Sequence, residues 1–453
     1  MSIDTIIAQC TPIGSGALAL LRLSGPQAFF IIDRCSQLSS ELSISHVATH
    51  TIHHGWVTTT DGQKLDEVLF LVMHAPRTFT GEHTVEITCH NNQFLIDKLI
   101  QQIVACGARP AQPGEFSRLA VENNKIDIVQ AEAINELIYA NSQQALKQAF
   151  EQLKGSFSHW IHNLEKETLL LIGLCEASFE FLEEDIDFSL PIRKKIEELL
   201  KTINSLKKSF DHQQLIRQGV RIALIGAVNA GKSSLFNALI GKKRAIVTPI
   251  AGTTRDVIES GMYENGTYWT MIDTAGLRQT DDIVEKEGIE RSYKEAQNAD
   301  LILLVIDGSK ALSTQEQEIY QAIITIHGAK TVLVINKQDL DQVPPSIKHK
   351  KIVSVSTKTA DGINVLQELL KTQVGDLLHN TDCPFLLNKR HITLLVSFEK
   401  ELLKVKDLLE LPLEYELIAH HLKEAIAILT ELTGKTVSEN AMDLIFKEFC
   451  VGK

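Results

Sequence analysis

Between Asp4 and about Gly114 the chain alternates short β-branched runs with turn-forming clusters: "ALALLRL", "EVLFLVM" and "HTVEITC" are separated by "SGP", "TDG" and "APRTFTGE". Runs of this length bounded by Gly, Pro, Asp and Ser predict a mixed α/β domain. After about Ala120 the period changes. Ile134, Leu137, Ile138, Ala145, Leu146, Ala149, Phe150 and Leu153 recur at three and four, with a polar break at Asn141 and Ser142. That spacing predicts an amphipathic helix with one buried face, and helical texture continues to about Gln213. From Arg221 the pattern turns to strand, loop and helix in repetition. "RIALIGA", "WTMIDTAG", "LILLVID", "TVLVINK" and "KIVSVST" are apolar strands suited to a parallel sheet covered on both faces. Beyond "DCPFLLNKR" the helical period returns in "ITLLVSFEKELLKVKDLL", "ELIAHHLKEAIAILTELTG" and "NAMDLIFKEFCVGK".

The patterning predicts a multidomain chain, α/β plus all-α. An N-terminal α/β domain occupies residues 1–119, a discontinuous helical domain residues 120–213 and 378–453, and an inserted α/β domain with a mostly parallel sheet residues 214–377. Insertion is sterically simple when the ends of the inserted domain lie close together at a surface. At 453 residues the chain exceeds what one hydrophobic core organises, and 44% hydrophobic against 23% charged residues leaves burial unlimited by composition.

The formal charge of −12 argues against broad neutralisation of nucleic-acid phosphates, so an RNA substrate requires a local basic patch or a partner protein. Cys10, Cys35, Cys89, Cys106, Cys175, Cys383 and Cys450 are scattered without metal-ligand spacing, which suits a reducing cytoplasm. "MSIDTIIAQCTP" lacks a basic segment followed by a long apolar core, and "LILLVI" and "TLLLIGLC" fall short of a bilayer's thickness. The expectation is a cytoplasmic chain without a membrane partner.

Chemistry enters at "GAVNAGKSS", where Gly226, Gly231, Lys232 and Ser233 hold the spacing of a phosphate loop between the strand "RIALI" and the helix "SLFNALI". Backbone N–H groups through Asn229, Ala230, Gly231 and Ser234 would wrap the phosphates, Lys232 would neutralise the outer charge, and the Ser233 hydroxyl would ligate Mg²⁺. "DTAG" (Asp273, Thr274, Ala275, Gly276) closes a later strand, where a carboxylate can hold Mg²⁺ through water and a flexible glycine can meet the γ-phosphate. "NKQD" supplies Asn336, Lys337 and Asp339. A carboxylate that accepts two N–H groups selects guanine, because adenine would leave it unpaired. "STK" (Ser356, Thr357, Lys358) follows the last strand, where a backbone amide meets the guanine oxygen. Four motifs in order on alternating strands read as a Ras-like P-loop GTPase domain that binds GTP.

Leu277 follows "DTAG" where Ras-like switches carry the Gln that orients water, so water must be placed otherwise. In "TPIAGTTRD", whose residues 248–254, Pro249, Ala251 and Gly252 among them, are expected to bind GTP, Thr254 is the expected second Mg²⁺ ligand. Oxygens of Thr248, Ile250 and Thr253, with the side chain of Asn229, are expected to surround a potassium ion that stabilises developing charge beside the phosphates.

Three further stretches carry a resemblance that runs essentially end to end. "DTIIAQCTPIGSGALALLRLSGPQA" with "TFTGEHTVEITCHNN", then "ARPAQPGEFSRLAVENNKIDIVQAEAINELI", and finally the terminal "FCVGK" are similar to segments of the tRNA modification GTPase family MnmE, also called TrmE. The resemblance implies that residues 1–119 form a folate-binding and dimerising domain in which Arg22, Glu86 and Lys125, with Lys453, contact 5,10-methylenetetrahydrofolate, for which 5-formyltetrahydrofolate is an analogue. A carboxylate such as Glu86 suits the amide-like pterin edge, and cations suit the glutamyl carboxylates; a solvated surface charge is the plain alternative for each. It further implies that Glu285 helps position the hydrolytic water and that Cys450 takes part in the modification. By its residues alone Glu285 is one of many exposed glutamates, and Cys450 equally suits packing behind Phe446 and Phe449.

The family also implies a homodimer that joins an FAD-dependent partner of the MnmG/GidA type in a heterotetramer. Together they would install a (carboxymethyl)aminomethyl group at C5 of the wobble uridine of certain tRNAs. Three departures mark this chain: "GSG" for Gly-Arg-Gly, "HNN" for His-Gly-Gly and "STK" for Ser-Ala-Lys. Another class of reading is a ribosome-assembly or RNA-binding switch without covalent chemistry, but such switches usually append a basic module and this acidic chain has none. A folate enzyme merely regulated by GTP is a third.

Overall fold

The computed structural model describes residues 4–14, 16–180, 188–208, 210, 215–217, 219–241, 258–264, 266–273, 293–344, 346–379, 384–411, 414–447, 449 and 452. Two compact units form, one from residues 1–135, 151–200 and 393–453, the other from residues 136–150 and 201–392.

The first unit holds a seven-stranded sheet in the order β3-β4-β5-β6-β2-β1-β7. Its strands are β1 (Ile6–Gln9), β2 (Leu18–Ser24), β3 (Ser36–Leu38), β4 (Thr51–Thr58), β5 (Lys64–Met73), β6 (Thr84–His90) and β7 (Arg109–Pro110). All neighbours are antiparallel except β1 and β7. Alternation sets which side is buried. Val68, Phe70 and Val72 of β5 and Val85, Ile87 and Cys89 of β6 face one core with α1 (Ala28–Asp33) and α2 (Gln93–Ala105), whose Ile96, Leu99 and Ile103 share a helical face. The "HNN" departure is absorbed here without strain. Asn92 has an extended backbone and caps α2 by accepting from Leu95 N at 3.3 Å, while Asn91 Nδ2 donates to Gly14 O at 2.8 Å.

Helices α3 (Glu115–Glu122) and α4 (Ile128–Ile138) follow, then α5 (Gln143–Leu153), α6 (Ser156–Glu180) and α7 (Ser189–Lys208). Late in the chain come α11 (Lys389–Leu408), α12 (Tyr415–Thr433) and α13 (Glu439–Lys447). In the first unit α12 packs along α6, burying Ile418, Leu422, Ala425, Leu429 and Leu432 at the spacing of a single apolar stripe. The terminal segment docks on α3. Gly114, at φ 69°, enters α3 with no Cβ, and a Cβ there would lie 2.5 Å from Phe446 O and 2.9 Å from Phe449 Cβ. Phe446 and Phe449 bury against Ala131, and Arg118 pairs with Asp443.

The second unit contains a six-stranded sheet in the order β13-β12-β11-β8-β10-β9. Its strands are β8 (Val220–Ile225), β9 (Ile258–Glu264), β10 (Thr267–Asp273), β11 (Leu301–Asp307), β12 (Thr331–Asn336) and β13 (Ile352–Ser354). Only β9 is antiparallel to its neighbour. Strands β11 and β12 are buried along nearly their whole length, because helices cover the sheet. Helices α8 (Lys232–Ile240) and α10 (Ile363–His379) share one core with the sheet, and α9 (Thr314–His327) another. The multidomain α/β plus all-α reading is correct, as is the mostly parallel sheet of the inserted part. Strand β9 was not anticipated, since "IESGMYE" lacks alternation and carries Gly261 in mid-run; the aromatic ring of Tyr268 lies across that glycine. The polar break at Asn141 and Ser142 has a structural use within this unit. Asn141 O accepts from Tyr268 N at 2.9 Å and Gln143 N donates to Gly266 O at 2.8 Å, so the break pairs with the β9–β10 turn.

Gly114→Ala should lower the unfolding free energy by about 1–3 kcal/mol, since it combines a left-handed non-glycine residue with an overlap on Phe446 O. Thermal melts and limited proteolysis check this: the C-terminal segment should be released early, and unchanged melting would contradict the docking.

Candidate nucleotide and folate sites

Strand order determines where the loops of the second unit meet. Strand β8 lies between β10 and β11, both parallel to it, so connections leave its carboxyl end on either side, and such a switch point opens a crevice for ligands. The loop from Gly226 to Gly231 leaves β8 there and enters α8. Gly226 packs so closely on Val305 O that no side chain fits, and Gly231, at φ 91°, faces the Asn336 carboxamide with no room for a Cβ. Asn229 also has a positive φ of 65°. Ser233 and Ser234 are exposed on the first turn of α8, so the helix opens with hydroxyls at an N-terminus of the kind where anions bind. Lys232 is buried and its Nζ donates to Gly226 O and Ala227 O, each at 2.8 Å.

Asn336, at the end of β12, is wholly buried. Its Nδ2 donates to Ala230 O at 2.9 Å and its Oδ1 accepts from Thr357 N at 3.3 Å, which ties the phosphate loop to the "STK" loop. Asp339 Oδ1 accepts from Ser356 Oγ at 2.7 Å, and this bond holds the Asp339 carboxyl below the usual carboxylate range. Thr359 N donates to the same hydroxyl at 3.2 Å, so Ser356 is itself oriented, whereas Lys358 is exposed. The structure therefore brings Ala230, Gly231, Lys232, Asn336, Asp339, Ser356 and Thr357 to one end of the parallel strands. Asp273 ends β10 in register with Leu224. Thr248, Pro249, Ile250, Ala251, Gly252, Thr253, Thr254, Thr274, Ala275, Gly276 and Glu285 lie outside the described residues.

Two residues of this region escaped the motif reading. Tyr320, on the inner face of α9, accepts from Ala227 N at 2.6 Å and so fixes the phosphate loop; its ring was indistinguishable from ordinary core. Asp307, the last residue of β11, accepts from Lys337 Nζ at 2.6 Å.

In the first unit, Arg22 on β2 faces Glu86 on β6 in register, with Nε and Nη2 each 2.8 Å from Glu86 Oε1. The Arg22 guanidinium lies 5.6 Å from the ring centroids of both Phe79 and Phe116, so an aromatic surround shields the pair. Lys125 is exposed and donates to Pro76 O at 2.8 Å. The loop carrying Pro76 and Phe79 thus touches Arg22 on one flank and Lys125 on the other. Gly452, at φ 94°, lies where a Cβ would be 2.6 Å from Gln9 O, and its carbonyl accepts from Cys10 Sγ at 3.1 Å. The chain's last glycine therefore rests on β1, the strand beside Arg22. Cys450 and Lys453 lie outside the described residues. Glu82, unnoticed in the sequence, leaves its Oε2 buried without a partner, and burial reinforced by Glu122 raises its pKa.

Residues 128–450 match the MnmE helical domain and residues 5–125 match the GTP-binding protein TrmE N-terminus. A tRNA modification GTPase MnmE of Lachnoclostridium phytofermentans is 36% identical over 463 residues, covering all of both chains. The chain belongs to the MnmE family.

Similar members include the MnmE of Listeria welshimeri, 38% identical over 464 residues with both chains covered in full. That of Protochlamydia amoebophila is 37% identical over 454 residues, covering 99% of this chain and 98% of its own. The MnmE-family chain is a GTP hydrolase. Among its described residues no helix is long and apolar enough to cross a membrane.

Burial, and secondarily the charge of Glu316, pushes the Tyr320 hydroxyl from 10.0 up to about 12. An acid raised on folding leaves stability intact below its unfolded pKa and loses it as pH climbs toward the folded one. Urea unfolding should therefore show a loss of order 3 kcal/mol between pH 10 and 12 that Tyr320→Phe removes; identical pH slopes in the two proteins would refute it.

Proposed function

We propose that this MnmE-family GTPase couples GTP hydrolysis to modification of the wobble uridine of certain tRNAs. With an FAD-dependent partner of the MnmG/GidA type it installs a (carboxymethyl)aminomethyl group at C5, using one carbon from a tetrahydrofolate. The observation that carries the reading is the joining of the phosphate loop to the guanine loops through Asn336 in a chain that also holds the Arg22–Glu86 pair.

On the nucleotide side, the N–H groups from Asn229 to Ser234 cradle the phosphates, and Lys232 exchanges its two loop carbonyls for phosphate oxygens. Asp339, pre-oriented by Ser356, accepts two guanine N–H groups. Ser233 and Thr254 would hold Mg²⁺, which neutralises charge on the β- and γ-phosphates. Asn229, with Thr248, Ile250 and Thr253, holds potassium, and Glu285 places the water. The exposed, left-handed Asn229 suits a ligand that leans over the loop.

On the folate side, Glu86, held by Arg22, takes the pterin edge, while Lys125 and Lys453 face carboxylates. A cation and a carboxylate already paired cost little to present, because each keeps a partner until the ligand arrives. The division proposed is a folate-binding and dimerising domain at residues 1–119, a helical domain at 120–213 and 378–453, and the GTPase domain at 214–377. The working form is a cytoplasmic homodimer that binds the flavoprotein as a heterotetramer, with Cys450 at the modification site.

Hydrolysis should run at least about tenfold faster in KCl than in NaCl at equal ionic strength, a modest figure for one charge-stabilising group; equal rates would remove potassium from the site. 5-Formyltetrahydrofolate should raise the melting temperature of the native protein but not of Arg22→Ala, which should still hydrolyse GTP. Mass spectrometry of wobble nucleosides from cells with and without the protein tests the whole reading, and unchanged nucleosides would end it.

A further inference from the structure

We propose that Asp307 is a positioning residue for guanine-nucleotide binding, anchoring Lys337 so that its side chain is already ordered when the nucleotide arrives. The inference rests on the reading of Asn336 to Asp339 as the guanine-recognition loop. Strands β11 and β12 run parallel with Asp307 in register with Asn336, so the loops that leave them are neighbours from the start. Backbone bonds bind these loops together. Gly308 N donates to Asn336 O at 2.9 Å, and Val343 N donates to Gly308 O at 2.8 Å, so the "DGS" turn clasps both ends of the recognition loop. Gly308 packs against Asn336 O and Gln342 with no space for a Cβ.

Within this clasp, Lys337 has φ 65°, a left-handed backbone that a long side chain adopts only when its surroundings over-determine it. Leu340 N and Gln342 Nε2 hold its backbone by donating to Lys337 O at 3.0 and 2.9 Å, and Asp307 holds its side chain. Asp307 Oδ2 accepts from Lys337 Nζ at 2.6 Å, while its Oδ1 accepts from Ser309 N at 3.1 Å and Ser309 Oγ at 2.6 Å. Both carboxylate oxygens are thus engaged, and the side chains are only 16% and 29% exposed. Burial alone would raise the Asp307 carboxyl, but the bonds from Lys337 and Ser309 outweigh it and hold it below the usual range. A free lysine has one of the largest rotamer entropies among side chains, and ordering it on binding subtracts from affinity. A lysine ordered beforehand does not.

Titration with mant-GDP, and with GTP in competition, tests this on the full chain. Asp307→Asn should weaken GDP and GTP alike by roughly five- to tenfold, as expected for one partly exposed charge-assisted bond, with KM for GTP rising far more than kcat falls. Asp307→Asn should add little in the Lys337→Met background, where the lysine it orders is gone, although it weakens binding on its own. Additive losses, or a lower melting temperature with unchanged affinity, would show a merely structural residue and overturn the inference. Should Asp307→Asn fail to fold, Ser309→Ala removes one bond that orients the carboxylate, and a loss of about twofold is expected, with no loss counting against it. Native protein that bound mant-GDP and released it to GTP but not ATP would uphold the guanine loop whatever Asp307 does, so the two failures are separable.

Discussion

One buried carboxamide holds the nucleotide end of the second unit together. Asn336 has no contact with solvent, and an amide in that position costs free energy unless its donors and acceptor are met. It meets them by reaching across to Ala230 O in the phosphate loop and accepting from Thr357 N in the "STK" loop. Two loops more than a hundred positions apart thereby share one partner. The glycine at Gly231 is a consequence, since a Cβ would occupy the carboxamide's place. Asp339, Ser356 and the clasp from Asp307 to Ser309 then build outward from that fixed point, each oriented by a neighbour rather than by the ligand.

The first unit solves a similar problem with charge. Arg22 and Glu86 sit opposite each other on neighbouring strands, on the side of the sheet away from the α1–α2 core, where their own attraction supplies the partner that a ligand would otherwise have to provide. Phe79 and Phe116 limit water around them, which strengthens the attraction and raises the cost of leaving either group alone. Missing side chains matter as much as present ones. Gly114 allows Phe446 and Phe449 to lie against α3, and Gly452 itself lies against β1, so residues remote in sequence border the strand paired with the one that carries Arg22.

Charge explains the asymmetry between the two sites. A nucleotide brings a dense negative group, and the second unit offers a lysine, a helix N-terminus and backbone N–H groups, all fixed in advance. The first unit instead sets two opposite charges side by side with aromatic rings around them, although the chain as a whole is acidic.

By itself the sequence determined the class of the fold, the strand-loop-helix order of the inserted part, and the loop residues from Gly226 to Ser233, Asn336 to Asp339 and Ser356 to Lys358. These are legible because local spacing carries their meaning: a strand needs an apolar run, and a phosphate loop needs glycines at given intervals. Only the tertiary structure decided the pairing of Arg22 with Glu86, the role of Tyr320 behind Ala227 and that of Asp307 beneath Lys337. It also decided that Asn141 and Ser142 pair with the β9–β10 turn instead of merely interrupting a helix. Strand β9 belongs with these, since it exists by pairing with β10 and not by its own alternation. The physical reason is common to all of them: a lone aspartate, tyrosine or arginine has no distinguishing local pattern, and its function is set by the partner that strand order and register bring within hydrogen-bonding distance.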